Sequence, residues 1–89
     1  MKDQIIGALH KLEIEIEEKF DHISREDINF VMNPINKNII SQLSMEQPDF
    51  LFNYNNGFVK FRGITIRYDM LLDVKEIHVT NVLYKTKFI

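Results

Sequence analysis

The chain has no cysteine and no tryptophan, a single alanine, three glycines and two prolines. Without cysteine there is no disulfide to staple the fold, no thiolate to hold zinc, and no sulfur nucleophile. Three glycines leave no glycine-rich loop to cradle a phosphate. His10, His22 and His78 have no ligand spacing among themselves, and no Ser-His-Asp order points to nucleophilic catalysis. No apolar run approaches the roughly 18–20 residues that span a bilayer. The opening MKDQIIGALHKLE also acquires charge too early for a secretory h-region. The expectation is a soluble, cytoplasmic, non-enzymatic protein with no cofactor, no metal and no membrane partner.

What is present is enough to fold. An apolar fraction of 45% with 11% aromatic residues supplies a core and argues against disorder. Eighty-nine residues make one domain, 1–89. A chain of that size buries only about 60–65% of its unfolded surface, so a homodimer is expected to supplement a small core. The bias toward Ile, Asn, Lys, Phe and Tyr favours AT-rich codons, which points to a low-GC bacterium, plasmid or phage.

The net charge of −2 conceals an asymmetry. Residues 1–50 carry five basic side chains against ten acidic ones, and residues 51–89 carry six against three. An acidic helical half therefore precedes a mildly basic strand half.

The strand half centres on Asn56 to Asn81. Asn55-Asn56-Gly57 tolerates the positive φ that a hairpin turn needs, and alternating residues flank it from Phe50 to Tyr54 and from Phe58 onward. Ile64 and Ile66 alternate with Thr65 and Arg67, a period of two with one apolar face. Gly63 inside the pattern suggests a bulge or a close backbone approach. Met70 to Lys75 reads as a connection, with one or two further strands after it. An antiparallel meander with one buried face fits best. Phe61, Ile64, Ile66 and Ile77, with Leu12 from the helix, are the expected core.

In the helical half, Asp3 is a candidate N-cap. Ile5, Leu9, Leu12, Ile16, Phe20 and Ile23 recur at helical intervals, predicting an amphipathic helix to about residue 23. Ile14 then points away from the stripe, and the stripe is narrow enough to lie on a sheet or to pair with its own copy. Ser24 with Asp27 could open a short helix, but Ile28, Phe30 and Met32 alternate before a proline, so a strand is preferred there. Asn33 and Pro34 start a second helix whose buried face is Ile35, Ile39, Ile40 and Leu43, ending before Pro48. The fold class is α+β in two layers: a long first helix and a short second one on a mainly antiparallel sheet of three to five strands.

Val31-Met32-Asn33-Pro34, a short helix, Gly63-Ile64-Thr65-Ile66 with Asp69, and Ile77-His78-Val79 ending at Asn81 together resemble an α/β module of tailed-phage proteins. That module occurs in the major capsid fold and in small phage proteins of unassigned role, and the resemblance covers residues 28–81. It implies phage origin and a strand at 28–32, and no functional residue. The long acidic first helix departs from it, and the chain is too short to be a capsid subunit.

Two charged clusters are candidate sites. Glu13, Glu15, Glu17, Glu18, Asp21, Glu26 and Asp27 form the densest, read either as a solvated helix face or as an imitation of a nucleic-acid phosphate row. In the second case the protein would inhibit or modulate a host protein, a basic nucleic-acid-binding one, as a DNA mimic. Glu13, Glu17 and Asp21 lie off the apolar stripe, so reversing them to lysine is expected to spare the core. Lys60, Arg62 and Arg67, interleaved with Phe58, Phe61 and Tyr68, are the alternative: a nucleotide or nucleic-acid binder using the strand face. A minor virion structural protein is a third class.

Overall fold

The apolar stripe of the first helix is buried where its periodicity places it. The computed structural model describes residues 2–19, 24–46, 52–55, 57–80 and 84–87, the strands at 52–55 and 84–87 as backbone. Helix α1 spans Lys2–Lys19 and buries Ile5, Ala8, Leu9, Leu12 and Ile16. Asp3 lies in its first turn rather than at the N-cap, where its carboxylate still complements the positive end of the helix. Phe20, Asp21, His22 and Ile23 lie outside the described residues.

The strand reading of residues 28–32 holds, and the helix that Ser24 could open is no more than one 3-10 turn. Ser24 caps a 3-10 turn, Arg25–Asp27, its side chain accepting from the Glu26 N–H, and strand β1, Asn29–Met32, follows. Asn33 then caps a second turn, Pro34–Asn36, accepting from the Ile35 N–H at 2.9 Å, and this turn runs into α2, Lys37–Glu46. The extra turn rotates the face of α2. Ile40 and Leu43 are buried, but Ile35, expected with them, is 68% exposed, and Asn36 takes the buried place.

Strands β2, Phe52–Asn55, and β3, Phe58–Phe61, form the expected hairpin, with Gly57 at φ 84°. Gly63 is not at a bulge: with Arg62 it forms the two-residue turn between β3 and β4, Ile64–Tyr68. Both residues have positive φ, 50° and 90°, the pattern of a type I′ turn that matches strand twist. For Arg62, which has a Cβ, that backbone costs about 1–2 kcal/mol. Strands β5, Glu76–Val79, and β6, Tyr84–Lys87, complete the sheet.

The sheet is six strands in the order β2-β3-β4-β1-β5-β6. Four inner strands carry the described sheet core, and β2 and β6 are the edges, so the count exceeds the expected three to five. The simple meander is also corrected. Strand β1 inserts between β4 and β5, parallel to β4 with Phe30 opposite Ile66, and every other pairing is antiparallel.

Phe30, Met32, Phe61, Ile64, Ile66, Ile77 and Val79 share one face with the buried residues of both helices. The expected core residues Phe61, Ile64, Ile66, Ile77 and Leu12 are each at most 1% exposed. Among the described residues no helix covers the opposite sheet face. No described helix is long and apolar enough to cross a membrane.

Candidate functional site: the uncovered sheet face and its charge partition

The acidic row of α1 does not survive folding as a continuous exposed surface. Glu13 is 5% exposed, and both a turn and a hairpin converge on it. Arg25 Nη1 and Arg62 Nε each donate to its Oε2 at 2.7 Å, and His10 Nδ1 lies 3.8 Å from Oε1. Arg25 also bonds Glu17 through Nη2 and the Arg62 carbonyl through Nη1, at 3.1 Å for the latter. The left-handed backbone of Arg62 is thus held from both ends, by its guanidinium on Glu13 and by its carbonyl on Arg25. One carboxylate ties α1, the 24–27 segment and the β3–β4 turn together.

This reassigns three candidate residues. Glu13 and Glu17 are engaged internally, and so is Arg62 from the basic cluster. Glu18, Glu26 and Asp27 are exposed and Glu15 half-buried, while Asp21 lies outside the described residues. Glu15 faces away from Glu13 and Glu17, since at about 100° per residue they sit on opposite flanks of the stripe. A usable signal was present: the same arithmetic puts Glu13 only about 70° from the stripe's centre, within reach of the sheet.

With those carboxylates occupied, the uncovered face keeps its cations. Strand alternation directs Phe58, Lys60, Thr65, Arg67, Asn29, Val31, Glu76 and His78 to it, and the register aligns them in rows. One row runs Asn55, Phe58, Arg67, Val31, His78 and Lys85 across all six strands, the Phe58–Arg67 step continuing the β3–β4 register. At about 4.8 Å per strand it spans roughly 24 Å. A second row runs Asn53, Lys60, Thr65 and Asn29.

The Arg67 guanidinium stands 4.9 Å from the centroid of the exposed Phe58 ring, a cation–π pair. Among the described residues neither Lys60 nor Arg67 has a carboxylate partner. The one described acid on the face, Glu76, is paired with His78 at 3.0 Å. Lys85 and Lys87 occupy the register positions opposite His78 and Glu76.

A cleft of about 130 Å³ opens at one end of the sheet, lined by Lys37, Ser41, Gly57, Phe58, Val59, Ile66 and Tyr68. Lys37 Nζ lies 5.8 Å from the centroid of the Tyr68 ring. Among the described residues that line it there is no histidine or carboxylate. Burial pushes the Tyr68 phenol up to about 12.

That shift has a testable sign. Between pH 10 and about 12 an unfolded tyrosine releases its proton while the folded one keeps it. The associated stability is full below pH 10 and is lost as pH rises toward 12. Tyr68→Phe is expected to flatten the alkaline limb of a melting-temperature profile taken from pH 9 to 11.5. An unchanged limb would show that this phenol does not control it.

No group of three or more His, Asp or Glu side chains among the described residues could hold a metal ion. Comparison of the chain with protein-family models, with curated proteins and with solved structures finds no match.

Proposed function

We propose that the protein is a non-enzymatic binding protein whose contact surface is the uncovered sheet face, and that its ligand is single-stranded nucleic acid. The observation that carries this reading is the Arg67–Phe58 pair beside Lys60, on a sheet face that no described helix covers. An aromatic ring with flanking cations offers a base a stacking platform and a phosphate its counter-charge. Stacking of this kind contributes about 1–3 kcal/mol per base and tolerates any sequence. The partition of charge supports it: the acids nearest the β3–β4 hairpin, Glu13 and Glu17, are neutralised by arginine, so their field does not oppose the face.

The alternative in which α1 imitates a phosphate row has less to work with, because Glu13 is buried and Glu17 is bound to Arg25. With net charge −2, attraction is local to the sheet, so modest affinity and strong salt dependence are expected.

Fluorescence anisotropy of labelled 12-nucleotide single-stranded DNA and RNA tests this at 50 and 200 mM salt. Binding is expected at 50 mM and should weaken with salt by a log–log slope of about −0.7 per neutralised phosphate. Lys60→Glu with Arg67→Glu should weaken it at least tenfold, and Phe58→Ala by about 5- to 150-fold. No binding at 50 mM salt and about 100 μM protein, or equal binding by the doubly reversed variant, overturns the reading.

A further inference from the structure

Apart from Ile14 on α1, Met45 on α2 and Phe58 on the sheet face, the large apolar side chains exposed among the described residues lie at one end of the molecule. Met70 is 78% exposed, Leu71 92% and Val74 44%, all on the loop between β4 and β5, and Ile35 is on the turn before α2. The loop is strapped to that turn. Asn33 Nδ2 donates to the Leu72 carbonyl at 2.8 Å, and Asn36 Nδ2 to the Val74 carbonyl at 2.9 Å. The loop also orders itself. Asp69 accepts from the Leu71 N–H and Asp73 from the Lys75 N–H, each at 2.9 Å. An apolar tip held this firmly loses little conformational entropy when it is covered.

We infer that this end, Ile35 with Met70, Leu71 and Val74, is the surface through which two copies of the chain pair. The argument for a second copy is its charge. The charged residues of the β4–β5 loop and of the turn into α2 are Lys75 and Lys37 against Asp69 and Asp73, two of each sign. A two-fold interface sets the same patch against itself, so a rim of one sign would repel its copy while a balanced rim can interlock. Area agrees with this: four such side chains expose on the order of 500 Å², at the upper range of the largest apolar patch on a monomer. Two patches with their polar rims bury about 1,200 Å², the lower bound of stable pairing, so the dimer is expected to be reversible. The pairing surface is thus moved from the first helix, whose stripe is spent on the sheet, to the β4–β5 loop.

Sedimentation velocity of the full chain from 1 to 200 μM tests the inference. A concentration-dependent dimer is expected, and Met70→Asp with Leu71→Asp should be monomeric throughout with unchanged far-UV circular dichroism. Lys37→Glu with Lys75→Glu makes the rim wholly acidic and should dissociate the dimer in 50 mM salt, with recovery in 1 M salt as repulsion is screened. Ile14→Asp, on the outer face of α1, should leave the dimer intact. A wild-type monomer at 200 μM overturns the inference. So does a dimer that Ile14→Asp dissociates and the loop variant does not. A monomer that cosediments with anionic vesicles only when Leu71 is present overturns it in favour of a membrane contact.

Discussion

Glu13→Lys is expected to destabilise the fold by about 3 kcal/mol or more, the scale for breaking a buried ion pair. The carboxylate is buried, and the substitution places a third cation against Arg25 and Arg62. Those guanidiniums are 35% and 46% exposed, so water relieves part of the repulsion, which sets the estimate at the low end of the range. For a domain of this size, 3 kcal/mol lowers Tm by on the order of 15 °C. Glu13→Gln keeps the volume and one acceptor, and should cost about 1–2 kcal/mol. Glu17→Lys removes a mostly exposed partner and should cost under about 1 kcal/mol. Thermal melts rank the three, and a Glu13→Lys protein melting within 3 °C of wild type would refute the clamp. The expectation that Glu13, Glu17 and Asp21 could be reversed with the core spared is corrected on the same ground: Glu13 holds three segments together.

Phe30→Ala should cost about 3–5 kcal/mol, the range for deleting a fully buried ring. Domains of this kind have only about 5–15 kcal/mol in total, so the variant should be close to unfolded at 37 °C. Phe30 sits on β1, which pairs with β4 on one side and β5 on the other, opposite Ile66 and Val79. Its ring meets Phe61 edge-on, the centroids 6.1 Å apart. Ile66→Ala, on the adjoining strand, should cost about 2–5 kcal/mol. Because the two side chains are register partners on adjacent strands and share one face, the double variant should depart from additivity by about 0.5 kcal/mol or more. Urea denaturation measures all three. A Phe30→Ala loss below about 1.5 kcal/mol would mean that β1 does not hold the centre of the sheet.

The parts that neighbours in sequence decide were legible before folding. The intervals of Ile5, Leu9, Leu12 and Ile16 set the buried side of α1, because a helix repeats every 3.6 residues whatever it packs against. Asn33-Pro34 opened the next helical segment, because a side-chain acceptor followed by a fixed φ acts within three residues. Gly57 marked a hairpin, and the alternation of Ile64 and Ile66 marked the inner face of β4. What required tertiary structure lies far apart along the chain. Glu13, Glu15, Glu17 and Glu18 look alike in sequence, and only Glu13 is buried, because Arg62, 49 residues away, and Arg25 reach its carboxylate. Lys60 and Arg67 share a face while Arg62 does not, because a two-residue turn takes Arg62 out of the strand alternation. Periodicity says which side of an element is apolar, but not which other element will cover it. The parallel seating of β1 between β4 and β5 is set by long-range pairing, whose loop-closure cost and packing gain no local window of sequence contains.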